Sequence, residues 1–367
     1  MDISNRITSK LDFSSSVYQQ VSQKLGVIDS FNGKWKVFES LQSKYLSVLE
    51  KTAIKESVGS STRIEGAKLS DDEVEKLMIL GDSRTPINYD EQEVLGYFEA
   101  LEMILGNSSG ITIEEDYIHQ LHSILLRHSV NDLRHKGKYK KLANQVVANY
   151  PDGPGKSIFI TTEPHLTPGE MEGLLFWTNE RLKKKDLHPM FITASFIYEF
   201  LSIHPYHDGN GRLSRLLTIL LLLKQDYTFI RYVSLENELE ARKEEYQQAL
   251  MAGQPSRNKE NERIESWVLF LFDCLMVITR KLDIMYDTYN KLKVSLNERQ
   301  QAVMEFLDEH KTAQVGMLEK QLKVYSRNTL KKDLSYLVIE GLLMKTGKGR
   351  GARYHSKEPQ LVTESIT

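Results

Sequence analysis

Apolar residues recur at three- and four-residue steps along most of the chain, the spacing of one face of an α-helix. Over Phe31–Ala53 the pattern runs through Trp35, Phe38, Leu41, Tyr45, Leu46 and Leu49 and predicts a helix. Ser70-Asp-Asp-Glu73 has capping-box spacing and opens another. Ile87–Leu105 and Glu114–His128 read as two more amphipathic helices. Thr167-Pro168 predicts a helix start, with the hydroxyl as cap and proline at the first position. Met190–Ile203 and Leu213–Lys224 are apolar enough to be buried on every side, and a long helix is expected from about Arg257 to Val294.

The rhythm breaks between Tyr139 and Pro168. Asn149-Tyr-Pro-Asp-Gly-Pro-Gly155 is a strong turn signal, flanked by Val146-Val147 and Ile158-Phe159-Ile160. This predicts a small β-hairpin projecting from a helical body. The chain changes character again near its end. Helices are expected over Glu298–His310, Gln314–Leu322 and Ser326–Gly341, followed by two short strands around the glycine-rich turn of Leu342–His355. Three helices and a basic hairpin make the winged-helix pattern.

With 367 residues, two or three domains are expected. The formal charge of −2 offers no global attraction to nucleic acid or anionic membrane. A single cysteine, Cys274, excludes an intrachain disulfide and any multi-cysteine zinc site. The first residues lack the apolar core of a signal peptide. Leu216–Leu223 and Trp267–Thr279 are too short to span a bilayer, which takes roughly 20 residues. These features lead us to expect a soluble, cytoplasmic protein with no membrane partner.

The candidate chemistry lies in twelve residues, His204-Pro-Tyr-His-Asp-Gly-Asn-Gly-Arg-Leu-Ser-Arg215, joining the two most apolar helices. Gly209 and Gly211 let backbone N–H groups approach a ligand without a Cβ in the way. Those groups precede a helix N-terminus, which favours anions. Arg212 and Arg215 are spaced to present two guanidinium forks to one phosphate chain. Asp208 suits a hard cation such as Mg²⁺, which needs few protein carboxylates when phosphates supply other ligands. His204 titrates near neutrality and is the candidate general base. Neither a P-loop nor a dinucleotide glycine fingerprint occurs.

This segment resembles the signature of the Fic family, His-Pro-Phe-x-(Asp/Glu)-Gly-Asn-Gly-Arg-x-x-Arg, and departs from it only at Tyr206, where phenylalanine is usual. Ser61-Thr-Arg-Ile-Glu-Gly66 is similar to the family's inhibitory motif, (Ser/Thr)-x-x-x-Glu-(Gly/Asn). Glu236–Leu250, with Arg242 and Tyr246, resembles a family segment near the nucleotide pocket, with Gln247 in place of a frequent second tyrosine. The resemblance spans about Ser14 to Gly253. It implies a mainly α fold: a Fic-type helical core with a β-hairpin flap, and here a C-terminal winged helix. The expected regions are 1–88, N-terminal and helical with the inhibitory motif; 89–256, the Fic core; 257–296, a helical connection; and 297–367, the winged helix.

The resemblance also implies roles. His204 would deprotonate a hydroxyl of a target protein, and Asp208 would hold Mg²⁺ against the α- and β-phosphates of ATP. Asn210 with the backbone of Gly209 and Gly211 would cradle the α-phosphate, and Arg212 and Arg215 the β- and γ-phosphates. AMP would pass to the hydroxyl and pyrophosphate would leave. Tyr246 would line the nucleotide pocket. A flap within about 140–160 would pair with an extended target segment. Glu65 would occupy Arg215 and withhold it from the γ-phosphate, with Ser61 anchoring the inhibitory helix. Transfer of another phosphate-containing group and removal of AMP are alternatives within the same site. An alternative of another class is a DNA-binding regulator that senses nucleotide. Lys323, Arg327, Lys331, Lys332, Lys345, Lys348, Arg350, Arg353 and Lys357 face only Asp333 and Glu340 in the last segment. That balance suits DNA phosphates, while contacts to protein, including a second copy of the chain, are the competing reading.

Overall fold

The computed structural model describes residues 3–41, 43–80, 86, 88–148, 156–339 and 342–356. They form two compact units, residues 1–279 and 280–367.

In the first unit the helices are α1 (Ile3–Ser9), α2 (Ser15–Leu41), α3 (Ser43–Glu65), α4 (Asp71–Leu80), α5 (Tyr89–Asn107) and α6 (Glu115–Leu125). Strands β1 (Gln145–Ala148) and β2 (Lys156–Ile160) follow. Then come α7 (Thr167–Lys184), α8 (Pro189–Ile203), α9 (Asn210–Lys224), α10 (Leu235–Ala241), α11 (Lys243–Met251) and the start of α12 (Glu265–Ser295). Every residue from Met190 to Ile203 is buried, as is α9 from Asn210 to Leu223 apart from Gly211. Two adjacent helices without a polar face can only be the centre of the unit, since each surface they present must be covered.

Some boundaries moved. The helix expected over 31–53 is shared between α2 and α3, on either side of residue 42. Thr167 is not a cap: it is the first helical residue, and its hydroxyl donates to Glu163 O at 3.0 Å. Half of the Ser70 capping box is present, with Glu73 accepting from Ser70 N at 2.9 Å and from the Ser70 hydroxyl at 2.6 Å. The hairpin is present, with Gln145 opposite Ile160, Val146 opposite Phe159 and a bulge between Val146 and Val147. Its turn, Asn149–Gly155, lies outside the described residues. No helix among the described residues is long and apolar enough to cross a membrane.

In the second unit, α13 (Glu298–His310), α14 (Val315–Gln321) and α15 (Arg327–Ile339) enclose a core of Val303, Leu307, Leu318, Leu330, Leu334 and Leu337. The two expected strands, β4 (Leu343–Thr346) and β5 (Arg353–Ser356), pair antiparallel. A third strand, β3 (Thr312–Ala313), was not anticipated; it is two residues long, below the length at which alternation is readable, and pairs with the other edge of β5.

Candidate active site

The loop is built by its own side chains. Asn210 Oδ1 accepts from Tyr206 N at 2.9 Å and its Nδ2 donates to Tyr206 O at 2.8 Å. Both ends of the Asn210 amide are therefore spent on closing the loop, and what it retains for a phosphate is backbone. Gly209 caps α9 at φ 78°, a left-handed conformation that glycine adopts without a Cβ penalty. The helix starts at Asn210, three residues before the predicted start, at the residue that closes the loop. His204 ends α8 at φ 52°, uncommon for a residue with a Cβ and held by bonds on both sides of it.

His204 Nδ1 lies 3.3 Å from Leu201 O. A carbonyl only accepts, so the ring proton belongs on Nδ1 and the Nε2 lone pair is left to act as base. Burial pushes the imidazole down to about 4, against the carbonyl and the carboxylates of Glu65 and Asp208. The ring is therefore neutral at physiological pH.

Both arginines are buried, and both are occupied. Arg215, 3 % exposed, donates from Nε to Ser61 Oγ at 2.7 Å, and from one terminal nitrogen to Ser61 O at 2.9 Å and Glu65 Oε1 at 2.7 Å. Glu65 is 36 % exposed on its side chain. Burial would raise its carboxyl, but Arg215 and then Arg212 outweigh that and hold it below the ordinary range. A Cβ on Gly211 would meet Glu65 Oε1 at 2.2 Å. The carboxylate thus lies against bare backbone in the first turn of α9, where an anion is favoured. Arg212, 2 % exposed, bridges Glu93 Oε1 at 2.7 Å and Asp208 Oδ2 at 2.8 Å. Asp208 is 40 % exposed and also accepts from Tyr89 Oη at 3.2 Å. Among the described residues no three His, Cys, Asp or Glu side chains converge as a metal cage. Asp208 alone suits a cation that arrives with phosphate oxygens.

Behind the loop, His122 is fully buried and fixed in one tautomer. Its Nδ1 accepts from Gly137 N at 2.8 Å, so Nε2 carries the proton to Asp208 O at 3.0 Å. Its ring stacks on Tyr206 at 3.8 Å. The hydroxyl that sets Tyr206 apart from phenylalanine pairs with His119 Nδ1 at 2.7 Å. Tyr246 packs its ring on Trp267 and Phe270.

The Fic/DOC family profile matches residues 112–222, the segment that holds α6, the hairpin, α7, α8 and the whole loop. This chain carries a Fic domain. Among curated relatives, the protein adenylyltransferase Fic of Drosophila grimshawi is 30 % identical over 38 % of this chain and 26 % of its own length. A Fido domain-containing protein of Dictyostelium discoideum is 34 % identical over 23 % of this chain and 57 % of its own. The chain thus spans about a quarter of the first and little more than half of the second. A Fic family protein from Desulfovibrio desulfuricans shares the fold at TM-score 0.61 with 18 % identity, over 95 % of this chain and 98 % of that one. A Fic domain-containing signaling protein from Bacteroides thetaiotaomicron aligns at TM-score 0.56 with 25 % identity, over 70 % and 94 %.

Ser61, Glu65, Tyr89, Glu93 and Tyr246 all lie outside the matched Fic segment, yet all reach its loop or pack nearby. Two layers of the site were missed in the sequence. Tyr89 and Glu93 stand one turn apart on α5, a spacing that any amphipathic helix shows. Beneath the Ser61–Gly66 segment, the buried Glu236 accepts from Ser57 at 2.8 Å and Tyr97 at 2.8 Å. Arg63 grips Glu240 at 2.7 and 2.9 Å, and Lys243 Nζ donates to Ile64 O at 2.6 Å. The segments Ser61–Gly66 and Glu236–Leu250 were each visible in the sequence, but nothing local in either pairs Arg63 with Glu240 or Lys243 with Ile64.

Proposed function

We propose that this chain is a Mg²⁺-dependent protein adenylyltransferase that moves AMP from ATP to a hydroxyl of a target protein and is restrained by Glu65. The observation that carries this reading is the Glu65 carboxylate seated between the Arg215 guanidinium and the backbone of Gly211. Only an anion belongs there. Glu65 stands where a phosphate would otherwise be held, and the active state requires its displacement.

In that state Arg215 is free to bind the γ-phosphate, while the α9 N-terminus faces the α-phosphate. The neutral His204 accepts the hydroxyl proton. Asp208 would hold Mg²⁺, which would neutralise phosphate charge. Arg212 is already shared by Glu93 and Asp208, so it orients Asp208 as well as contributing charge. Positioning and charge stabilisation suffice for most of the rate in phosphoryl transfer. The names of the Drosophila relatives, protein adenylyltransferases, support the same activity.

The test is incubation of the wild type and Glu65→Gly with labelled ATP and Mg²⁺. Label on the variant or on an added protein, with pyrophosphate released, is the expected result. Release of AMP from previously modified protein, without transfer, would favour the hydrolytic alternative.

The second unit carries its own reading, binding to double-stranded DNA. On α15 the sole acid, Asp333, is 3 % exposed and paired with Arg299 at 3.0 Å, while Lys331 and Lys332 face solvent. Lys345, Lys348 and Arg353 are exposed on or beside β4 and β5. The Arg350 side chain and Lys357 lie outside the described residues. A third helix and wing bearing unopposed cations suit the phosphates flanking a groove.

A further inference from the structure

Lys140 precedes the flap, is only 4 % exposed, and among the described residues makes no salt bridge. An ammonium has three donors, and all three are used. Nζ donates to Asn144 Oδ1 at 2.8 Å, to Thr161 Oγ1 at 2.8 Å and to Ile203 O at 3.0 Å. Asn144 immediately precedes β1 and Thr161 immediately follows β2, so these are the two legs of the flap. Ile203 is the last residue of α8, next to His204.

The backbone repeats the connection. Lys140 N donates to Pro205 O at 2.8 Å, and Asn144 Nδ2 donates to Tyr206 O at 2.8 Å. Thr161 Oγ1 is also 2.8 Å from Asn144 O, tying the legs to each other. Burial lowers the ammonium to about 8 against the pull of the Glu163 carboxylate, and three oxygens, one of them the Ile203 carbonyl at the negative end of α8, accept from it. A surface salt bridge would be the ordinary use of this lysine.

We propose that Lys140 is a positioning residue whose ammonium fastens both legs of the flap to Ile203 O at the end of α8, beside His204, so that a target strand paired on the flap is held in register with the proposed base. This rests on the adenylyltransferase reading for its consequence, though not for the clamp itself. Loss of the clamp should change where the acceptor sits and leave the phosphate site, on α9 and α3, as it was.

The experiment compares Lys140→Met and the milder Thr161→Val in the Glu65→Gly background. ATP affinity should stay within about twofold, while kcat for transfer to protein falls about tenfold or more for Lys140→Met and less for Thr161→Val. Amide hydrogen exchange of β1, β2 and Tyr206 should accelerate together. Transfer that falls only in step with ATP affinity or folded fraction overturns the positioning role. Flap and loop amides that respond independently overturn the clamp. Should Lys140→Met not fold, Thr161→Val supplies both readouts. Should Glu65→Gly itself form no product, the adenylyltransferase reading fails, and exchange still decides the clamp.

Discussion

Two clusters of buried charge lie in the first unit, and they are built differently. Around the loop, Arg212 and Arg215 meet Glu65, Glu93 and Asp208. On the other side of α8, Lys10, Arg257 and Arg6 meet Glu199, Glu262 and Glu170. The second cluster is closed: Lys10, Glu199 and Glu262 are 1 % exposed or less. It joins α1, α7, α8 and the segment before α12, and only its rim, Arg6, Glu170 and Arg257, reaches solvent, at 12–16 % exposure. The first cluster is closed only on its arginine side, with Glu65 and Asp208 each more than a third exposed. The difference teaches how to tell a structural charge from a working one. Buried cations whose carboxylates can swing outward can exchange partners; buried cations sealed among buried carboxylates cannot. On the proposed reading, polyphosphate entry here would need an exchange. The arginines are already outnumbered by carboxylates, so a phosphate chain must expel one or bring a cation.

His204, the proposed base at the edge of the first cluster, should show the largest effect. His204→Ala should lower transfer about 10²–10⁴-fold, with ATP binding and thermal stability retained. A loss of only about tenfold would assign the proton transfer to another group.

Breaking the closed cluster should cost stability instead. Glu199→Gln leaves buried cations short of one carboxylate and should destabilise by about 3–5 kcal/mol. The check is a lower denaturant midpoint at unchanged slope. Activity per folded molecule should not rise. A rise would mean that this cluster, too, restrains the site.

Breaking the open cluster should do the reverse. Glu65→Gly should raise transfer about tenfold or more, the shift produced by about 1.4 kcal/mol, while stability changes by about 1 kcal/mol or less because the carboxylate is partly solvated. Adding Arg215→Ala should return activity to a low level, a coupling that a double-mutant cycle measures. Additive effects would disconnect Glu65 from Arg215.

Acid titration sharpens the distinction further. His204 and His122 are both lowered to about 4 by burial, from an ordinary value of 6.5. Over that window the unfolded chain binds more protons than the folded one. Stability should therefore be full above about 6.5 and decline as pH falls toward 4. Transfer by Glu65→Gly should keep a base-side plateau down to about pH 5. A midpoint near 6.5 in the acid limb would place His204 in a wetter setting.

The smallest effect concerns charges that belong to neither cluster. Lys331→Glu with Lys345→Glu should weaken salt-dependent DNA binding, reducing the slope of log affinity against log salt by about 2, and leave transfer unchanged. If the intact protein shows no such binding, the cations serve a protein contact.

Much of this was legible beforehand because it is local. The loop reads as an anion site since helix N-terminus, glycines and arginines are adjacent in sequence, and the helix pair around it reads as buried since neither has a polar face. The hairpin, and the three helices and two strands of the second unit, follow from turn residues and alternation. What escaped depends on meetings between distant segments. Glu93 and Tyr89 look like ordinary helix-surface residues until α5 packs beside α9. Lys140 looks like one cation in the run Lys138-Tyr-Lys-Lys141 until the flap folds over the end of α8. Asn210 reads as a phosphate ligand, yet its amide closes the loop instead, because two backbone groups of Tyr206 lie within its reach.

The amino-acid sequence by itself determined the helical class, the loop and its chemistry, since periodicity and adjacency are properties of the chain before it folds. Which carboxylate holds which arginine was decided only by tertiary structure. Glu65 and Arg215 are 150 residues apart, and no local pattern states that the end of α3 lies on the first turn of α9. That placement comes from Ser57 and Arg63 being drawn to Glu236 and Glu240 on α10. It is a consequence of which polar groups must find partners when the apolar faces of α3, α9 and α10 close together.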